Sequence, residues 1–138
     1  MEKIEIHGND DMVLSVSLFD ILNCIENGQN LYWKILWLEA IGDLGDKTML
    51  KFEREVNNSI NGYEISWKKL INLSLKFSQV IEILIIADKD ELKVKRYLND
   101  DVMHKECTFT IELIDSSYWV VHSNNISLNP MLNILNKK

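Results

Sequence analysis

Apolar and polar residues alternate along this chain in short blocks whose period changes several times. Lys3-Ile4-Glu5-Ile6-His7 alternates strictly and predicts a strand, Gly8-Asn9-Asp10-Asp11 a turn, and Met12–Val16 its hairpin partner. Ser17 is placed to cap a helix over Leu18–Asn27, with Leu18, Ile21, Leu22 and Ile25 on one stripe. Gly28 stands where a left-handed residue ends such a helix. Leu31–Ile41 fits two patterns. As a strand it puts Trp33, Ile35, Trp37 and Ile41 on one face and Tyr32, Leu36 and Leu38 on the other; a helix also fits. Its aromatic content and the flanking Asn30 and Gly42 favour an interior strand covered on both sides.

Past the loop Gly42-Asp43-Leu44-Gly45-Asp46, Met49, Phe52 and Val56 predict a helix over Thr48–Asn58. Asn61-Gly62 marks a turn, and Ser66 caps a further helix from Trp67 to about Phe77, with Trp67, Leu70, Ile71 and Phe77 inward. Val80–Ala87 reads as a buried strand, Asp88–Glu91 as an acidic turn, and Leu92–Tyr97 as a strand pairing back in a hairpin. Cys107–Ile114 alternates Cys107, Phe109, Ile111 and Leu113 against Thr108, Thr110 and Glu112. Asp115-Ser116-Ser117 then turns the chain into a last strand, Tyr118–His122.

Strand runs mixed with helix runs predict an α+β fold. The expected form is a mixed or antiparallel sheet of about 5–7 strands, with Leu31–Ile41 and Val80–Ala87 interior and about three helices packed on it. There is no internal repeat or low-complexity linker, and the only proline is Pro130. The expectation is therefore one domain over residues 1–128 and a short tail over 129–138.

Composition narrows the class. Of 138 residues 46% are apolar, enough for one sizeable core without disulfides or metal. Cys24 and Cys107 offer no disulfide framework, and the N-terminus lacks a signal-peptide pattern. The most apolar run, Val80–Ala87, contains Glu82 and is too short to span a bilayer, so a cytoplasmic setting is expected. The net charge of −6 argues against nucleic acid or membrane as a partner and leaves basic proteins. The excess is local. Residues 1–46 hold nine acids (Glu2, Glu5, Asp10, Asp11, Asp20, Glu26, Glu39, Asp43, Asp46) and two bases (Lys3, Lys34), a local charge of −7.

The chemically capable residues form no catalytic set. His104-x-x-Cys107 has a spacing a metal could use, but His7, His122 and Cys24 supply no motif to complete three or four ligands. Cys24, beside an apolar stripe, and Cys107, opening an inward-facing register, read as small buried hydrophobes rather than nucleophiles for His7, His104 or His122. The acid groups Asp10/Asp11, Asp43/Asp46, Asp88/Asp90/Glu91 and Asp100/Asp101 lie in polar turns where every member would ionise, which does not suit acid–base work. Gly42-Asp43-Leu44-Gly45 places acid where a phosphate loop would hold phosphate. The expectation is no enzyme activity, no metal and no cofactor. Of the four Trp, Trp119 beside Tyr118 is the one expected at the surface.

Two stretches, Tyr32-Trp33-Lys34-Ile35-Leu36-Trp37-Leu38-Glu39-Ala40-Ile41-Gly42-Asp43-Leu44-Gly45 and Ile114-Asp115-Ser116-Ser117-Tyr118-Trp119, belong to a small, acidic, aromatic-rich, cysteine-poor α+β chain. In this the chain resembles the immunity proteins encoded beside bacterial polymorphic and contact-dependent-growth-inhibition toxins. The resemblance implies a cytoplasmic protein that binds and blocks one cognate toxin domain, often a nuclease with a basic cleft. On that reading the acidic first third meets the toxin, with Asp43 and Asp46 foremost because a glycine-rich loop presents them, joined by Glu39, Asp10 and Asp11. Tyr118 and Trp119 are the competing anchor. An acidic adaptor or subunit of a larger complex, and an enzyme with an unrecognised site, remain open.

Overall fold

The computed structural model describes residues 1–8 and 15–135. Six strands form one sheet: β1 (Glu2–His7), β2 (Tyr32–Gly42), β3 (Tyr63–Ile65), β4 (Phe77–Asp88), β5 (Phe109–Ile114) and β6 (Tyr118–Ser123). Their order is β1-β6-β5-β4-β2-β3, and every neighbouring pair is antiparallel. Five helices accompany them: α1 (Leu18–Leu22), α2 (Met49–Asn57), α3 (Trp67–Ser74), α4 (Asp100–Glu106) and α5 (Asn129–Leu135). The α+β class and the interior positions of the second and fourth strands are as the sequence predicts.

The helices begin where side chains satisfy their free N–H groups. Thr48 and Ser66 accept from the N–H of Lys51 and Lys69, and Ser17 forms a reciprocal capping box with Asp20. On the inner face of the sheet α1, α3 and α5 bury Leu18, Ile21, Leu70 and Met131 against Trp33, Ile85, Ile111 and Val121. Each such fully buried aliphatic side chain contributes about 1.5–3 kcal/mol. Helix α2 finishes an edge. Strand β3 pairs with β2 only from Trp33 to Ile35, and beyond it Asn57 accepts from the Leu38 N–H (2.8 Å) and donates to the Leu38 carbonyl (3.0 Å). Glu53 accepts from the Ala40 N–H at 2.8 Å, so side chains take the place of a missing strand.

Several expectations are corrected. Helix α1 stops at Leu22, because the Cys24 and Ile25 N–H groups bond back to Ile21 and Leu22 in tighter three-residue turns. Asn27, not Gly28, takes the left-handed conformation (φ 58°). Gly28 is needed for space, since a Cβ there would lie 2.5 Å from the Trp67 ring. Strand β2 does not keep one alternation. Ile35 pairs with Ile85 and Trp37 with Leu84, so Leu36 is an extra residue in a bulge. Trp33 and Ile35 face inward before it and Leu38 and Ala40 after it, while Trp37 and Ile41 turn to the outer face.

Other differences lie further along. Phe77 opens β4 instead of closing a helix. Residues 92–97 form no strand; a 3₁₀ turn over Glu91–Lys93 leads into an irregular run. Cys107 caps α4 and belongs to a small outer core with Leu36, Ile86, Val94 and Met103. Residues 129–135 are not a tail: they form α5, whose Met131 and Leu135 are buried in the main core, because Pro130 suits the first turn of a helix. Of the proposed hairpin partner of β1, residues 12–14 lie outside the described residues; Val16 is buried but not in a strand, and β1 pairs with β6.

The irregular run is fixed by Arg96. Its guanidinium donates to the carbonyls of Leu36 (2.7 Å), Val56 (3.0 Å) and Ser59 (2.8 Å), and to Ser59 Oγ (3.1 Å). Lysine keeps the charge but cannot fork to three carbonyls. Arg96→Lys is therefore expected to lower the unfolding free energy by about 2–4 kcal/mol, read from urea denaturation. An unchanged midpoint would show that water replaces these bonds without loss.

Candidate functional site

The outer face of the sheet is covered over only part of its area. Its inward counterpart is apolar, but at the alternate positions three adjacent central strands each carry a glutamate: Glu112 on β5, Glu82 on β4 and Glu39 on β2. Glu39 and Glu82 are direct cross-strand partners. Glu112 is the partner of Leu84, which faces Trp37. Residues 91–106 roof one end of this face, with Met103 (3% exposed) seated over Ile86. Beside that roof lies an open cleft of about 470 Å³. Trp37, Glu82 and Leu84 line its floor, and Tyr97, Asp100 and Met103 line the roofed side.

The cleft is electrostatically one-sided. The Asp115 carboxyl, hydrogen-bonded to Glu82, holds the Glu82 pKa above the ordinary glutamate value; burial and the charges of Asp115 and Glu39 add to this, and Trp37 bonding to Glu82 opposes it. Glu112 is also raised, first by burial and then by Asp100 and Glu82. The ion pairs among the described residues lie elsewhere: Lys3 and His7 with Glu5, Lys47 with Glu55, Lys93 with Glu106. Arg96 lines the cleft, but its donors are directed to backbone carbonyls. Asp115 is positioned by a turn in which it and Ser116 both take left-handed angles (φ 48° and 59°). The Ser116 N–H ties that turn to the Ile81 carbonyl of β4 at 2.8 Å.

The residues expected to meet a partner are dispersed. Glu39 belongs to the outer-face cluster. Asp43 and Asp46 lie in the loop after β2, away from the cleft lining; Asp43 accepts from the Gly45 N–H at 2.9 Å, which serves the loop's own turn. Asp10 and Asp11 lie outside the described residues. Tyr118 is half-buried and stacks on His7 at the β1–β6 end (4.7 Å). Trp119 is corrected outright. It is 1% exposed and donates its indole N–H to the Val16 carbonyl at 2.8 Å, because its register beside Ile6 and Leu113 points it inward. The exposed tryptophan is Trp37, at 44%.

His104 and Cys107 do not come together as a reactive pair. His104 stacks on His122, ring centroids 3.7 Å apart, while burial pushes the Cys107 thiol up to about 11. Among the described residues no three His, Cys, Asp or Glu side chains are grouped to hold a metal, and no helix is long and apolar enough to cross a membrane.

No family model, no curated protein and no solved structure matches this chain.

Sequence reasoning missed Glu82, Glu112, Asp100, Asp115 and Trp37 as a group. The available signal was a lone acid inside the apolar run Val80–Ala87 and another on the polar side of Cys107–Ile114. Placing both beside Glu39 needs the strand order β5-β4-β2.

Like charges directly opposite on a sheet destabilise it. With folded pKa values above the ordinary one, Glu82 and Glu112 make the folded chain bind more protons than the unfolded chain across that window. Their contribution to stability therefore worsens as pH rises through the window and is neutral below it. Glu82→Gln is expected to raise the unfolding free energy at neutral pH by about 0.5–1 kcal/mol, with the gain vanishing below the ordinary glutamate pKa. Paired denaturation curves at the two pH values check this; a loss of stability at neutral pH would contradict it.

Proposed function

We propose that this protein is a stoichiometric binding protein that captures a basic protein partner on the outer face of its sheet, and that the partner is a toxin domain it neutralises. One observation carries the binding surface: Glu39, Glu82 and Glu112, from three adjacent strands, surround the exposed Trp37 at an open cleft with no cation paired to them among the described residues. The toxin identity rests on the resemblance to immunity proteins, which implies a basic active-site cleft on the partner.

The chemistry suits an arginine or lysine of that partner. A guanidinium entering the cleft would stack on the Trp37 indole and donate hydrogen bonds to the carboxylates of Glu82 and Glu112. Its charge would draw a proton off the raised carboxyls and relieve the repulsion between Glu39 and Glu82. Complementary fields also speed encounter. On this reading the contact moves from the Asp43–Asp46 loop to the sheet, and Glu39 is common to both.

A second reading has its own observation. Two raised carboxyls in one cleft, Glu82 held up first by Asp115 and Glu112 first by burial, are also a way to build a general acid and base. A catalyst would turn over a substrate, whereas the binder acts at one copy per partner.

The test uses the toxin domain that this reading expects to be encoded beside the gene. A hot-spot aromatic and its charged neighbours are worth about 2 kcal/mol or more each, so Trp37→Ala and the Glu82→Gln/Glu112→Gln pair should each weaken binding by about 10- to 100-fold. Cells carrying these variants should lose protection against the toxin, and the loss should deepen with salt. The Asp43→Ala/Asp46→Ala double variant should bind within about threefold of wild type, as rim charges do. If that double variant fails while the sheet variants bind normally, the contact is the loop. If none of the variants alters binding or protection, the proposed face is wrong.

A further inference from the structure

Helix α4 is the roof of the outer face, and little holds it. It spans only Asp100–Glu106, too short to be stable alone. Met103 sinks into the small outer core, and Asn124 Nδ2 donates to the carbonyls of His104 (2.7 Å), Lys105 (3.0 Å) and Cys107 (2.7 Å). The exposed Lys93–Glu106 ion pair (3.5 Å) ties it to the preceding turn, and its remaining attachment to the sheet is a ring on a ring. His104 of α4 lies flat on His122 of β6, centroids 3.7 Å apart and planes within 12°.

We propose that the His104–His122 stack is an acid-released clasp: when both rings become charged, α4 lifts from the sheet and the cleft loses the wall formed by Asp100 and Met103. Neutral rings stack through their faces, and one charged ring can still lie on a neutral one. Two imidazolium ions at that separation repel in a site where His122 is only 8% exposed and water screens poorly.

The groups around the pair set the order of events. From β1, Lys3 is the cross-strand partner of His122 and adds positive charge, although Glu5 holds its ammonium at 3.2 Å. From β5, Thr110 is the other partner of His122 and is uncharged. Burial lowers the His104 pKa, and from α4 itself Asp100 and Asp101 partly offset this by favouring a charge on it. His104 therefore accepts a proton first. His122, buried and flanked by His104 and Lys3, follows only near pH 4. Both histidines are held below their ordinary value, so the clasp is fully closed above that value and weakens as pH falls through the interval beneath it. α4 yields before the sheet because its support is the small outer core, while β4 and β5 share the main one.

Amide hydrogen exchange on the intact protein tests this, at pH about 7.5 and about 4, on either side of the ordinary histidine value. The Met103 and Cys107 N–H groups, bonded to the Asn99 and Met103 carbonyls, report on α4 directly. After correction for intrinsic exchange, their protection is expected to fall at least about tenfold at the lower pH while β4 and β5 amides stay protected. His104→Phe keeps a flat ring over His122 and cannot be charged, so it should abolish the fall. Lys3→Gln, a milder change at an edge strand, should shrink it. The clasp is excluded if wild-type α4 keeps its protection in acid, or if α4, β4 and β5 lose protection together. It is equally excluded if the fall persists undiminished in the folded variants, since carboxylate titration would then be its cause.

Discussion

The rest of the structure depends on the pairing of β2 with β4, and on the first of the three places where that pairing is out of step, at Leu36. The two strands run from Tyr32 opposite Asp88 to Gly42 opposite Phe77. Inserting Leu36 as an extra residue keeps apolar side chains on the inner face both before and after it. The same insertion sends Leu36 into the outer core and Trp37 to the cleft. It also leaves the Leu36 carbonyl to be satisfied from outside the ladder, and Arg96 does so at 2.7 Å. One bulge thus positions the exposed indole and anchors the start of the segment that roofs it.

The two faces of the sheet are built to different rules. The inner face is occupied by helices and is apolar across its centre, as burial demands, with Ser123 and Glu2 at one end. The outer face carries glutamates on three neighbouring strands, two of them directly opposite each other. A face selected only for stability would alternate lysine with glutamate there, since opposite charges across strands are favourable and like charges are not. Inside the protein Asp115 raises the Glu82 pKa, which favours its neutral form and moderates the cost. A cation supplied from outside removes it altogether. That asymmetry between a settled inner face and an unsettled outer one is what directs attention to the cleft.

What could be read from the sequence was what local rules control. Ser17, Thr48 and Ser66 mark helix starts because a hydroxyl before an apolar stripe has one favourable use. The turn at Asp115 and Ser116 and the interior strands were legible for similar reasons. Failures came where tertiary contacts override local preference. Gly28 looked like a cap and is a gap for Trp67. The last strand, Tyr118-Trp119-Val120-Val121, is apolar at consecutive positions, so alternation could not say which aromatic faces inward. Helix α4 was hidden because its sequence, Asp-Asp-Val-Met-His-Lys-Glu, offers Met103 as its one buried residue and no stripe. Its start was nonetheless marked, by Asn99 accepting from the N–H groups of Asp101 and Val102.

Charge misled in a more general way. Net charge counted along the chain placed the acidic surface in the first 46 residues, and the fold disperses that excess. Glu2 bonds the Leu128 N–H, Asp20 closes a capping box, Glu5 holds Lys3 and His7, and Asp43 supports its own loop. The carboxylates that do converge come mostly from the part of the chain that is nearly neutral overall, where Glu82, Asp100, Glu112 and Asp115 are each diluted by lysines that the fold carries elsewhere. Electrostatic recognition depends on charge per unit of surface, and strand pairing decides that. In a sheet, acids 30 residues apart in sequence become neighbours roughly 5 Å apart when their strands pair, while acids adjacent in a strand point to opposite faces. A concentrated run of acid is therefore weak grounds for locating a binding face in a β-rich chain. The stronger sign is a single acid repeated at the outward position of consecutive strands.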